Sequence, residues 1–164
     1  RGLGDVYKRQ YMVVGLIHLM FPNAKIIDIR REPMACCFSA FQTNFSSGNT
    51  QTYDFESLGY YYRLYLDLMG HWDSVLPGRV LHIAYEDLIS DPEPRVREIL
   101  AHCSLEYEPE CLQFHERSAI VRTASQDQVR KPIYQGADEA WKNYESFLDP
   151  LKAALGDAAE NWRP

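Results

Sequence analysis

An α/β protein with a parallel sheet and a mostly helical C-terminal part is the fold expected of these 164 residues. Three features carry that expectation. Two short runs rich in β-branched residues, at 24–30 and 80–85, have the length and composition of buried strands. A long helical stripe lies between them, and two strands joined by a helical crossover pair in parallel. Beyond the second run, apolar residues recur at helical spacing almost to the end of the chain.

The composition, 46% hydrophobic and 24% charged, is that of a packed domain rather than a disordered segment. The length suits one ordinary domain, and there is no internal repeat. A formal charge of -6 argues against nonspecific nucleic-acid binding but leaves room for a local basic pocket. No apolar run approaches the roughly 18 residues of a membrane span. The cysteines are Cys36, Cys37, Cys103 and Cys111, without a C-x-x-C pair or a histidine at zinc spacing. Cys36 and Cys37 read as packing residues. Cys103 and Cys111 are spaced so that they could meet across a loop, but a chain this poor in cysteine does not depend on disulfides, so their pairing stays open. Residues 1–10 have no initiating Met and no pattern that joins the apolar segment behind them. They read as a truncation junction or foreign segment, which makes the natural protein longer at its N-terminus.

The first helix is expected at 11–21, with Val14, Leu16, Ile17 and Met20 on its apolar face, ended by Pro22-Asn23. The strand at 24–30 buries Ile26, Ile27 and Ile29. A helix then runs from 33 to about 45, with Pro33 in its first turn, where a missing N–H costs nothing. Asp54 caps the next helix. It reaches about residue 76, with Leu58, Tyr62, Tyr65, Met69 and Trp72 on one stripe, and Pro77-Gly78 stops it. After the second strand, Glu86-Asp87-Leu88 starts a further helical turn, and Val96, Ile99, Leu100 and Cys103 mark an amphipathic helix. Pro109 opens a short helix to about 115. Residues 118–136 have no clean period and carry Arg122, Arg130 and Lys131. A last helix over 138–155 turns Trp141, Tyr144, Phe147, Leu148 and Leu151 inward.

The first strand ends in Arg30-Arg31 just as a helix begins. In an α/β sheet the crevice beyond the carboxyl end of a strand is where ligands sit. A helix N-terminus there favours an anion, and an arginine grips a phosphate with two parallel hydrogen bonds. Ser39 follows Arg31 by eight residues, about two helical turns, within reach of the same anion if the strand's end lies along the helix. Blander roles stand beside these. Arg31 is also placed to pair with Glu32 or Asp28 at the surface, and Ser39 to bond a carbonyl of its own helix.

Three blocks in order, FPNAKIIDIRREPMACCFS, RVLHIAYEDLISDP and RTASQDQVRKPIYQGADEAWKNYESFL, resemble the C-terminal part of a sulfotransferase that uses 3'-phosphoadenylyl sulfate. The likeness is to the tyrosylprotein sulfotransferases and to bacterial sulfotransferases that often follow tetratricopeptide repeats, and it covers nearly all of 11–155. It implies a partial P-loop-NTPase-like three-layer fold, with residues 11–164 forming the C-terminal part of one sulfotransferase domain. It also implies that Arg31 and Ser39 hold the donor's 3'-phosphate and that Tyr85 contacts the donor. Ser125 would help stabilise the transition state, while Gln128, Val129, Arg130 and Lys131 line the nucleotide. Charge develops on the bridging and peripheral oxygens in sulfuryl transfer, and fixed hydroxyl, N–H and cationic donors answer it without a metal. Tyr85 also fits a core-edge aromatic, and 125–131 a solvated basic loop.

The chain departs from the protein-tyrosine enzymes at Ala140, where they carry a Lys before the Trp, and at Thr43, where they carry an Arg. The acceptor hydroxyl, on a protein tyrosine, a glycan or a small molecule, therefore stays open, as does the compartment, which is cytoplasmic for a bacterial-type member. The resemblance places the sulfate-cradling loop and the general base upstream, so this chain alone is expected to hold half a donor site and not to turn over. No histidine supplies a base: His18 reads as a satisfied core residue, and His71, His82, His102 and His115 show no pairing. Two other functions remain in view. A nucleotide-kinase-like phosphotransferase has similar anion sites, and a noncatalytic module would capture a partner through Tyr60, Tyr61, Tyr62 and Tyr65.

Overall fold

In the computed structural model the described residues are 10–43, 50–113 and 139–164. A 3-10 turn, Gln10–Val13, leads into helix α1 (Val14–Met20). Strand β1 (Ile26–Arg30), helix α2 (Pro33–Gln42) and the long helix α3 (Phe55–Val75) follow. Strand β2 (Val80–Ala84) runs directly into α4 (Tyr85–Ser90), with α5 (Pro92–His102) behind it. A further 3-10 segment, Ala140–Phe147, precedes α6 (Asp149–Leu155).

The two strands pair in parallel, from Ile26 opposite Val80 to Arg30 opposite Ala84. The mixed α/β architecture with its parallel sheet is as expected, and α3 is the crossover that makes the pairing parallel. Gly78, with φ at +70°, turns the chain out of α3 and into β2 in a conformation that side chains other than glycine rarely adopt.

The caps explain where the helices begin. Asp54 accepts the Ser57 N–H at 2.7 Å and so starts α3. Glu32 caps α2, its carboxylate accepting the N–H groups of Met34 and Ala35, with Pro33 in the first turn. One stripe of α3 enters the core, with Leu58, Tyr62 and Met69 buried and Tyr65 and Trp72 packed at its edge. α6 lies against α3 through Leu151 and Leu155, both fully buried. Gly59 makes that approach possible, because a Cβ there would stand 2.7 Å from the Ala154 backbone carbon. Trp162 folds back into the same core beside Met34, Cys37 and Phe38.

Four expectations need correction. In α1 only Val14 is fully buried, and Leu16 and Met20 face out. In β1 the buried end is Arg30, at 8% exposure, while Ile29 is 44% exposed. The helix expected over 138–155 is broken at Leu148, because Pro150 has no N–H to give and its ring crowds the carbonyl of Ser146. The break turns Phe147 out to 75% exposure and leaves Tyr144 half exposed instead of inward. β2 ends at Ala84, one residue early, so Tyr85 begins α4. All four cysteines are free thiols, which settles Cys103 and Cys111 as unpaired. Among the described residues no helix is long and apolar enough to cross a membrane.

Candidate functional site

The parallel register brings the two strand ends level. Arg30 stands opposite Ala84, so the residues that follow, Arg31 and Tyr85, emerge side by side beyond the carboxyl edge of the sheet. The Arg31 guanidinium lies over the Tyr85 ring at 5.4 Å from its centroid. The face of an aromatic ring attracts a guanidinium electrostatically, so Tyr85 favours this placement of Arg31.

The backbone beneath Arg31 is fixed from two sides. Its carbonyl accepts a hydrogen bond from the Tyr62 hydroxyl on α3. The next N–H, that of Glu32, donates to Glu86 Oε1 on α4 at 2.8 Å. Glu86 Oε2 is buried and has no hydrogen-bond partner among the described residues. Burial raises the pKa of the Tyr62 hydroxyl, so it stays a neutral donor.

The N-terminus of α2 differs from the sequence expectation. Its first N–H groups are taken by Glu32, so an outside anion does not sit there. Burial raises the pKa of that carboxyl, opposed by the helix N–H groups and by Arg31, and the Glu86 charge raises it further. Any phosphate gripped by Arg31 must therefore lie along the flank of α2. Ser39 is on that helix and exposed, six residues past Pro33 and so about 9 Å along its axis. It lies on the same stripe as Glu32 and Cys36, by the helical period. Thr43, at the Arg position of the protein-tyrosine enzymes, bonds back to the Ser39 carbonyl at 2.8 Å. Of the expected site residues, Arg31 and Tyr85 are in contact and Ser39 stands further along α2. Ser125, Gln128, Val129, Arg130 and Lys131 lie outside the described residues.

The sequence reading passed over a polar cluster behind the site. Asp28 and His82 are register partners across the sheet. His82 Nδ1 is 2.9 Å from Asp28 Oδ2, and its Nε2 is 2.8 Å from Asp73 Oδ1 on α3. The Tyr65 hydroxyl donates to Asp28 Oδ1 at 2.6 Å. Arg30 donates to Tyr65 and Asp28, each at 3.3 Å, and to the carbonyl of Trp162 at 3.0 Å. His82 is thus paired after all, and Asp28 belongs to Arg30 rather than to Arg31. The hydrogen bond to Asp28 raises the His82 pKa, with Asp73 adding to it against burial. Burial alone would raise the Asp28 carboxyl, but the bonds from His82 and Tyr65 and the Arg30 charge hold it below its ordinary value. The readable signal was an Asp and a His at the third position of two strands expected to pair.

The tyrosines of α3 do not form one exposed face: Tyr60 is exposed, Tyr62 is buried under Arg31, and Tyr65 joins the polar cluster. An open groove of about 560 Å³, lined by Tyr60, Arg63, Asp67, Asp157 and Asn161 among others, includes none of the candidate donor-site residues.

The chain is 35% identical over 150 residues to an uncharacterised protein of Aquifex aeolicus, covering 90% of this chain and 20% of that protein. It is 26% identical over 148 residues to a Caenorhabditis briggsae protein provisionally named a protein-tyrosine sulfotransferase, covering 87% of this chain and 52% of that one. The chain thus spans about a fifth and about half of these two relatives. A family model described as the sulfotransferase family matches residues 6–109, a stretch that runs from before α1 through both strands and past the end of α5. The chain that holds Arg31 and Tyr85 side by side beyond its parallel strands belongs to the sulfotransferase family.

Proposed function

We propose that this chain forms the 3'-phosphate side of a donor site for 3'-phosphoadenylyl sulfate, and that the protein transfers the sulfuryl group to an acceptor hydroxyl. The observation that carries the reading is the Arg31 guanidinium, lying over the Tyr85 ring at 5.4 Å from its centroid just beyond the carboxyl ends of paired parallel strands. A permanently charged planar donor suits a dianionic phosphate and needs no metal. Ser39 adds a hydroxyl from the flank of α2, and Tyr85 backs the guanidinium. Glu32 and Glu86 stand close to Arg31, so the donor's further negative charge needs cations from elsewhere. Arg130 and Lys131 are assigned that role, with Gln128 and Val129 along the nucleotide.

In the reaction the acceptor oxygen attacks sulfur in line. The bond from sulfur to the bridging phosphate oxygen breaks, and adenosine 3',5'-bisphosphate leaves with that oxygen's electron pair. The acceptor proton passes to a general base. Ser125 donates a hydrogen bond to the oxygens on which charge builds. The name of the Caenorhabditis relative favours a protein tyrosine as acceptor over a glycan or a small molecule. Tetratricopeptide repeats ahead of the domain remain part of the proposal for a bacterial-type protein.

Ligand-dependent unfolding tests the reading. Adenosine 3',5'-bisphosphate at about 100 times its dissociation constant adds roughly 2.7 kcal/mol to stability, visible as a raised melting temperature. The expected result is a shift with that nucleotide in EDTA. A shift with ATP and magnesium, but none with the bisphosphate, would support a phosphotransferase instead.

A further inference from the structure

We infer that Glu86 and Tyr62 are positioning residues for 3'-phosphate recognition, acting on Arg31 by fixing the peptide unit between Arg31 and Glu32 from both sides. The inference rests on the donor-site reading above. That peptide presents two polar groups, the carbonyl of Arg31 and the N–H of Glu32, and each is held by a side chain from a different helix. The Tyr62 hydroxyl on α3 donates to the carbonyl, and Glu86 Oε1 on α4 accepts the N–H at 2.8 Å. A peptide plane held at both edges cannot swing about the flanking ψ and φ angles. The Arg31 Cα, from which the guanidinium projects, is thereby fixed.

The three supports share two elements. Tyr85 and Glu86 are consecutive in the first turn of α4, so one turn holds the Arg31 guanidinium through a ring and its backbone through a carboxylate. Tyr62 reaches the same residue from α3. Glu86 also keeps one carboxylate oxygen buried without a hydrogen-bond partner among the described residues, an unfavourable arrangement for a group serving stability alone. Because β2 runs directly into α4, the position of Glu86 follows from the strand register. Sheet pairing therefore sets the direction in which Arg31 points.

The test compares the affinities of the chain for adenosine 3',5'-bisphosphate and adenosine 5'-monophosphate by titration calorimetry. The ratio of the two isolates recognition of the 3'-phosphate, since general damage to the pocket weakens both nucleotides together. Glu86→Gln retains a side-chain carbonyl to accept the Glu32 N–H, and its ratio should stay within about threefold of wild type. Glu86→Ala and Tyr62→Phe each remove one support and should lower the ratio about tenfold or more. Should Glu86→Ala fail to fold, Tyr62→Phe gives the same reading, since it deletes a single hydroxyl. A wild-type ratio kept by Tyr62→Phe or by folded Glu86→Ala overturns the inference and leaves the donor site standing. Loss in Glu86→Gln equal to that in Glu86→Ala also overturns it, because charge rather than the backbone bond would then matter. A wild-type chain that binds both nucleotides equally overturns the donor-site reading itself, and the inference with it.

Discussion

Replacing Arg30 by Met is the sharpest perturbation of the framework behind the site. Arg30 is 8% exposed and donates to Tyr65, Asp28 and the Trp162 carbonyl. Methionine fills much of the aliphatic stem, so the loss is mainly electrostatic. The Trp162 carbonyl would lose its side-chain donor, and Asp28 would keep only His82 and Tyr65. Removing one member of a buried ion pair costs about 3–5 kcal/mol, far above the ~0–1 kcal/mol of a surface pair. For a domain of this size that is a fall in melting temperature of about 6–20 °C. Urea unfolding followed by tryptophan fluorescence measures it, with Trp162 itself a reporter next to the lost bond. An Arg30→Met variant within about 1 kcal/mol of wild type would refute the view that this cluster anchors the C-terminal tail to β1.

Further expectations follow from the same contacts. His82 has its pKa raised above the ordinary 6.5, so its contribution is full below that value and is lost as pH rises through the folded one. Asp28 is lowered from 3.8, so its contribution is full above 3.8 and is lost as pH falls through its lowered value. Stability measured against pH should therefore be greatest between these limits, and His82→Gln should flatten the high-pH side. Gly59→Ala should cost about 1–3 kcal/mol in chemical unfolding, because the new methyl meets backbone of α6 that cannot rotate away. Leu155→Ala should cost about 2–5 kcal/mol in the same assay, as its side chain is fully buried.

Much of the framework was legible where local chemistry and tertiary packing agree. Asp54, the stripe on α3, Pro77-Gly78 and the two β-branched runs each specify their element without help from distant residues. The reading failed where a distant partner decides. Ile29 is as apolar as Ile27, and nothing local marks Arg30 rather than Ile29 as the buried end of β1. That depends on Asp28, Tyr65 and Trp162 meeting Arg30 from three parts of the chain. The helix expected over 138–155 fails for a local reason: Pro150 lies inside it, and its missing N–H outweighs the apolar period. At the site, Arg31 and Tyr85 were legible as residues just past strand ends. Glu32, the cap that occupies the helix N-terminus, has a readable local signal in an acidic residue before Pro33. Glu86 and Tyr62 were illegible, because each acts through a backbone group that is 54 or 31 residues away in sequence.

Titration of Arg31→Ala with adenosine 3',5'-bisphosphate and with adenosine 5'-monophosphate bears most directly on the donor site. The account predicts that the variant loses about 1.5–3 kcal/mol of affinity for the bisphosphate, the worth of hydrogen bonds to a charged group, and little for the monophosphate. Equal losses for both nucleotides, or none for either, would contradict it.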